Sequence, residues 1–433
     1  MFSRCNTHNR NTRHTKLNKM AKPKLALIPA SQGTKVYSVL PSDGSGDFDF
    51  TRSSKATRIN SQGLIEEVIS GQSRLEYPLI DGVVNGCPSL LLEPQSTNLV
   101  TYSEDFSQSV WGEGNVLDSL ISNNSISPDG TLNADTFVCG VSGYSSMFQI
   151  ISTLNAQLYT LSVFVKKGNQ DNFSIELRSV GSSADVVFDL ENGTIISGAD
   201  GEIKKYPNGW YRCSLTKLSN STSTIVIFGR GNSGNIGDSF QIYGAMLEQK
   251  SYATSYIKTA GTTITRLAET ATGAGTASTF NDSEGVLMVE ISALADDSSY
   301  KTITLNNNGT SDRIQISINS NDIYIGVIDN VTQVFDSVSV ADITDFNKVA
   351  VSYILNNCQL WINGFKVFTD TSASMPSGLS QINFDKGDGG DDFYGKTKQL
   401  QYYNTALTDS ELEKISSWTS FLEMTQAQQY KIK

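Results

Sequence analysis

The feature that most constrains this chain is a period-two alternation that recurs in short runs over most of its length. In LYTLSVFV, Tyr159, Leu161, Val163 and Val165 fall on one side of an extended strand, and in NFSIELRS Phe173, Ile175 and Leu177 do the same. Val186, Phe188 and Leu190 follow and lead to Asn192-Gly193, a strong hairpin-turn signal. WYRCSLT, STIVIFG and SFQIYGAMLEQ continue the pattern. A second series (GVLMVEIS, YKTITLN, RIQISIN, DIYIGVID, KVAVSYIL, CQLWING, FKVFTD) repeats it, with Asn363-Gly364 as another hairpin turn. Evenly spaced strands separated by turn signals build sandwiches and jelly rolls. The expected fold class is all-β: two β-sandwich (jelly-roll) domains in tandem behind a small irregular β N-terminal module, with a short C-terminal helix. The helix is read from Thr408-Asp409-Ser410-Glu411, a capping box, followed by Leu412, Ile415 and Trp418 at helical spacing.

These runs divide the 433 residues into a basic arm (1–24), an N-terminal module (25–100), a first sandwich (101–268), a small, polar linker (269–279) and a second sandwich with the helix (280–433). The arm carries Arg4, Arg10, Arg13, Lys16, Lys19, Lys22 and Lys24, with no acid before Asp43. It reads as a disordered tail, or as upstream sequence ahead of a start at Met20; a contact with nucleic acid or an acidic partner is the alternative. The remainder is acidic, and a net charge of −11 argues against a nucleic-acid-binding body, which needs clustered Lys and Arg.

Five scattered cysteines, Cys5, Cys87, Cys139, Cys213 and Cys358, form no C-x-x-C pair, so buried free thiols are expected rather than a disulfide scaffold or a zinc site. No secretory signal is visible, and no apolar run is long enough to span a membrane. Both histidines, His8 and His14, lie in the arm, which removes Ser-His-Asp and Cys-His catalysis from the body. No phosphate-cradling glycine motif follows a strand and opens a helix.

Three stretches resemble known families. KVAVSYILNNCQLWINGFKVF and KQLQYYNTALTDSELEKISS are similar to the hairpin and to the closing strand and helix of the laminin-G/concanavalin A-like sandwiches. YTLSVFVKKG, NGWYRCSLT and GDSFQIYGAMLEQKSYATSYI resemble jelly-roll carbohydrate-binding modules. FTRSSKATRINSQGLIEEV, RLEY and CPSLLLEPQSTNLVTYSEDF resemble a module at the N-terminal side of many phage structural proteins. What the resemblance implies is a virion protein of the tail-fibre, spike or capsid-surface type. Its N-terminal module would dock on other virion proteins, and its sandwiches would hold a host cell-surface glycan. By resemblance to phage fibres a homo-oligomer, trimeric by preference, is expected. Such a protein would be made in the host cytoplasm and sit on the virion surface without membrane insertion.

Sugar sites stack rings on aromatic faces and surround them with polar groups. The candidates are Trp111, Tyr144, Tyr206 and Trp210. In WYRCSLT, Tyr211, Cys213 and Leu215 share the core face, so Trp210 points outward with Arg212 and Ser214. The bland alternative is a Trp covering a sandwich edge. Trp361 reads as core or interface.

No cofactor is required. Calcium is the possible ion, held by Asp385, Asp388, Asp391 and Asp392 among glycines, against the alternative of a solvated acidic loop. Arg52, Lys55, Arg58 and Arg74, near Glu66, Glu67 and Glu76, would suit ion pairs across subunits. The expectation is a non-enzyme. A virion-associated glycosidase is the alternative, because two carboxylates suffice for that chemistry. No E-x-D-x-x-E is present, however, and Glu284 and Glu290 stand six apart. A capsid decoration protein without a ligand is the third reading.

Overall fold

The computed structural model describes residues 21–114, 118–143, 145–179, 182–229 and 235–417. The fold is all-β, with a single α-helix among these residues, Asp409–Ser417. No helix there is long and apolar enough to cross a membrane.

The middle of the chain forms the expected jelly roll from two six-stranded antiparallel sheets. One runs Gly112–Glu113, Ser146–Ser152, Ser223–Gly229, Asn172–Ser179, Ser182–Asp189, Thr194–Ser197. The other runs Ser119–Ile126, Leu132–Val138, Ser239–Glu248, Gln157–Lys167, Trp210–Ser219, Gly201–Lys205. Tyr159, Leu161, Val163 and Val165 face inward as the alternation predicts, meeting Phe173, Ile175, Leu177, Val186, Phe188, Tyr211, Cys213 and Leu215 between the sheets. The segments entering and leaving the jelly roll, Ser96–Asn98 and Ile264–Arg266, pair with each other and close it at one end.

The second sandwich departs from the expected modular order. Its five-stranded sheet comes wholly from the C-terminal part (Val331–Ser339, Asp322–Asp329, Asp312–Asn319, Lys301–Asn306, Gln381–Asn383). Its eleven-stranded sheet does not. Strand Gly395–Tyr403 pairs on one side with Glu284–Ala293 and on the other with Leu25–Gln32 and Ser89–Leu92. Lys35–Leu40 and Phe48–Thr51 continue outward from there. Leu25, Leu27, Val36, Phe48, Phe50, Leu90 and Leu92 therefore share one core with Ile303, Ile314, Ile325 and Leu400. Residues 25–100 are not a separate module: strands Leu25–Gln32, Lys35–Leu40, Phe48–Thr51, Arg74–Glu76 and Ser89–Leu92 belong to the C-terminal sandwich, while the hairpin Ala56–Ile59/Ile65–Val68 packs on the jelly roll.

The expected linker is likewise part of this sheet. Thr270–Thr272 pairs with Phe48–Thr51, and Ala271 and Ala274 are fully buried. Of the basic arm, residues 21–24 are described, and the Lys24 amide already donates to the Tyr402 carbonyl; the other arm residues lie outside the described residues.

At Asn363-Gly364 both residues take positive φ, 50° and 90°, as a type I′ hairpin requires. The Glu411 carboxylate reaches back to the Thr408 amide at 3.0 Å, as in a capping box. Leu412 and Ile415 bury against Met288, Ala350 and Trp361, so Trp361 belongs to the core under the helix. Trp418 lies outside the described residues. Cys213 and Cys358 are free thiols, and they and Cys139 are buried, as expected. Cys87 is disulfide-bonded, which corrects the expectation of thiols throughout.

Candidate functional site

Three of the four aromatic candidates are packed inside the molecule. Trp111, 6% exposed, sits between Phe106 and Phe228 with ring centroids 5.0 and 5.8 Å away, and its Nε1 donates to the Tyr102 carbonyl. Tyr206 is packed edge-on against Phe164. Trp210 is fully buried and donates from Nε1 to the Ile126 carbonyl at 3.0 Å. Tyr144 lies outside the described residues.

The alternation had placed Trp210 correctly on the face opposite Tyr211 and Cys213. That face is covered rather than open. Ile59 and Ile65 of the hairpin Ala56–Ile59/Ile65–Val68 lie on it, with Tyr77 and Leu79 at the margin. The turn between Leu79–Ile80 and Val83–Val84 also comes close: at Gly82 φ is 77°, and a Cβ there would stand 2.6 Å from the Tyr206 carbonyl oxygen.

The four carboxylates proposed for calcium do not converge. Asp385 accepts from the Gly387 amide and Asp388 from the Gly390 amide, while Asp391 pairs with Lys386 at 3.4 Å and Asp392 accepts from the Tyr394 hydroxyl. Among the described residues no group of three or more His, Cys, Asp or Glu side chains could hold a metal ion. The loop instead lies along strand Lys301–Asn306. The Thr302 amide donates to the Asp391 carbonyl and the Thr304 hydroxyl to that of Asp385. Burial pushes the Asp385 and Asp392 carboxyls above their ordinary range.

The ion pairs expected across subunits are internal. Lys55–Glu67 and Arg58–Glu66 join the two strands of one hairpin. Arg52 and Arg74 are buried and both hold Glu269, from the segment read as a linker. Arg74 and Arg266 in turn hold Glu93, at 2.8 and 3.1 Å. Asn98 completes the clasp by donating to the Ala245 and Ile257 carbonyls and accepting from the Leu247 amide. The residues that carry the phage-module resemblance, Arg52, Arg74, Glu93 and Asn98, thus lock the chain's own segments together.

Above this clasp lies a cleft of about 280 Å³ where three parts of the chain meet. The hairpin and Glu76 supply one wall, with Arg58. The outer face of the jelly roll supplies Phe164, Glu202, Lys204, Tyr206, Arg212 and Ser214. The loop Tyr252–Tyr256 lies between them, and Ser292, Thr344, Phe346 and Lys396 of the C-terminal sandwich close the far side.

Arg212 lies over the Phe164 ring at 5.4 Å and donates to the Thr254 carbonyl and the Ser162 hydroxyl. Glu93, at the floor, is fully engaged. Ser255 donates to it through both amide and hydroxyl, and Arg266 and Arg74 hold its carboxyl far below the usual carboxylate range despite burial. Tyr252 and Phe346 are half-buried rings lining the cleft, and the Lys398 ammonium lies over the Phe346 ring at 3.8 Å. The Tyr252 hydroxyl carries no hydrogen bond among the described residues.

One further aromatic group escaped sequence reasoning. Tyr324 packs between Tyr300 and Phe335, with centroids 5.4 Å away on each side, and Tyr300 and Phe335 are 39% and 48% exposed. The signal was present in DIYIGVID, where Tyr324 alternates with the core residues Ile323 and Ile325.

No protein-family model matches the sequence, and no curated protein does. Among solved structures, a leech intramolecular trans-sialidase in complex with 2,7-anhydro-Neu5Ac is similar over 33% of this chain and 24% of its own, at 16% identity and a TM-score of 0.27. The chain thus spans about a quarter of that enzyme's length. Domain 4 of an extracellular arabinanase from Geobacillus stearothermophilus, in complex with arabinotriose, matches over 38% of this chain and 82% of its own, at 13% identity and TM-score 0.26. Domains LG4-5 of the mouse laminin α1 chain match over 62% and 89%, at 9% identity and TM-score 0.23.

Proposed function

We propose that this chain is a non-catalytic carbohydrate-binding protein of a bacteriophage particle surface, and that the cleft at the junction of its three parts is the saccharide site. The observation that carries the reading is the composition of that cleft. Half-buried Tyr252 offers a ring face, Phe346 lines the cleft with Lys398 over its ring at 3.8 Å, and Ser214, Thr344, Arg212 and Lys204 offer hydroxyls and N–H donors around them. Apolar rings with a few convergent polar groups, placed where segments meet, suit a sugar. The virion assignment, with docking on other virion proteins and homo-oligomerisation, rests on the resemblance of residues 48–106 to phage structural proteins.

The non-catalytic part rests on the carboxylates. A glycosidase needs one carboxyl kept protonated beside one kept ionised. Glu93 is held ionised by two guanidinium groups, and Glu76 accepts from the Ile59 amide.

Burial of Trp111, Trp210 and Trp361 favours a second reading, a capsid decoration protein without a ligand. A glycan-array measurement on the full chain separates the two. Saturable binding that is lost in Tyr252→Ala and kept in Phe335→Ala supports the cleft. Loss in Phe335→Ala alone moves the site to the exposed aromatic group. Silence across the array favours decoration, and release of reducing ends establishes the enzyme.

A further inference from the structure

The cleft gathers cations that the protein leaves without carboxylate partners. Lys204 on strand Gly201–Lys205 stands directly opposite Arg212 on strand Trp210–Ser219. Like charges directly opposite across an antiparallel pair repel, and the arrangement is destabilising unless something anionic sits between them. Arg212 uses its guanidinium on neutral acceptors, the Thr254 carbonyl and the Ser162 hydroxyl. Lys396 enters from the other sandwich; its charge and that of Arg212 act on the Tyr206 hydroxyl against the opposing charge of Glu76, so two cations and one carboxylate from different parts of the chain converge on one spot. Neither Lys204 nor Lys396 forms an ion pair among the described residues.

The carboxylates nearby offset this field only in part. Glu202 is exposed and lies two residues from Lys204, without an ion pair to it. Glu76 accepts from the Ile59 amide and sets one carboxylate charge against Lys204, Arg212 and Lys396. Glu93 belongs to the clasp behind the cleft, where three guanidinium groups (Arg52, Arg74, Arg266) face two carboxylates (Glu93, Glu269) and leave one positive charge in excess. A locally cationic cleft in a chain of net charge −11 runs against the composition.

We infer that the saccharide taken by this cleft is acidic, with a sugar-ring carboxylate seated among Lys204, Arg212 and Lys396 and the ring against Tyr252. The inference rests on the reading of the cleft as a saccharide site. Arginine and lysine donors bind carboxylate through charge-assisted hydrogen bonds, which are stronger than those to a neutral hydroxyl. Solvent access to the cleft makes this attraction dependent on ionic strength.

The test uses the full chain and a panel of oligosaccharides bearing uronate or nonulosonate carboxylates, each beside its carboxyl-reduced form, with affinities measured by calorimetry. The expected result is at least one acidic oligosaccharide bound about tenfold or more tightly than its reduced counterpart, with affinity falling as salt rises. Lys204→Gln and Lys396→Gln should each weaken that binding about three- to tenfold without lowering the melting temperature. Equal binding of acidic and reduced forms overturns the inference and leaves the saccharide site standing. Binding to neutral glycans alone does the same. Silence toward every acidic and neutral glycan overturns both.

Discussion

Arg74 holds Glu269 through a forked contact: Nε donates to Oε1 at 2.9 Å, and Nη2 donates to Oε2. Both side chains are fully buried, and they lie 195 residues apart in sequence. This contact ties the N-terminal strands to the segment that joins the two sandwiches. Glu269 also holds Arg52 at 2.6 Å and Glu93 also holds Arg266 at 3.1 Å, so removing Arg74 leaves each carboxylate one guanidinium but takes the fork from Glu269 and a charge-assisted contact from Glu93.

Arg74→Met should therefore destabilise the protein by about 3 kcal/mol or more, because several buried oxygens lose charge-assisted hydrogen bonds worth about 1.5–3 kcal/mol each. A fall of the denaturant midpoint at unchanged slope would register it. Arg74→Lys should recover only part of the loss, because an ammonium cannot reproduce the fork. A midpoint unchanged in Arg74→Met would mean that the clasp does not hold the segments together.

Two buried carboxyls should give stability opposite pH dependences. Glu93, held low by Arg266 and Arg74, is ionised in the fold well below the ordinary value of 4.5. Its contribution is present above 4.5 and is lost as pH falls toward the folded value. Glu248 is pushed up by burial, against hydrogen bonds from Ser96 and Thr254. Its folded form keeps the proton longer, so its contribution is complete below 4.5 and is lost as pH rises through the raised folded value. Urea midpoints between pH 4 and 8 should show Glu248→Gln gaining on the wild type as pH rises. Glu93→Gln should lose more at neutral pH than at acid pH. A gap between Glu248→Gln and wild type that stays constant with pH would contradict the assignment.

Much of this fold was legible because strand periodicity is local. The inward set Tyr159, Leu161, Val163 and Val165, the outward side of Trp210 and the turn at Asn363-Gly364 all follow from residues within one hairpin. What covers Trp210 was not legible, since Ile59 and Ile65 lie about 150 residues away and alternation names a side without naming its neighbour. The same holds for Arg52 and Arg74. Their charge suggested surface pairs, and only the three-dimensional return of residues 93, 266 and 269 makes them buried. Residues 269–279 read as a linker because they are small; Ala271 and Ala274 are small because they pack between sheets. The cleft had only its Arg212 and Ser214 wall in view, because its other walls come from distant segments.

Calcium should leave the protein's stability unchanged. Each of the four carboxylates at Asp385–Asp392 already has its own protein donor, and they do not share one centre. Melting curves with millimolar calcium and with a chelator should superimpose within about 1 °C, since a ligand stabilises only in proportion to its preference for the folded state. A chelator-dependent drop of several degrees would establish a calcium site that the arrangement of these side chains does not provide.

Trp210 separates stability from binding. Its ring fills the contact between the jelly roll and the N-terminal hairpin, its Nε1 hydrogen is the donor to the Ile126 carbonyl, and it does not line the cleft. Trp210→Ala opens a cavity and should cost about 3–5 kcal/mol. Trp210→Phe keeps most of the apolar contact and loses the donor, so the Ile126 carbonyl is left unsatisfied at a cost of about 1–3 kcal/mol. The expected pattern is a lowered melting temperature in both variants, deeper in the alanine form. Saccharide affinity should be unchanged in Trp210→Phe at a temperature where it remains folded. Calorimetric melting and glycan titration on the same preparation read the two effects independently. An unaltered melting temperature with lost affinity would mean that the ring faces ligand, as its outward alternation first suggested, and that the hairpin does not cover it in solution.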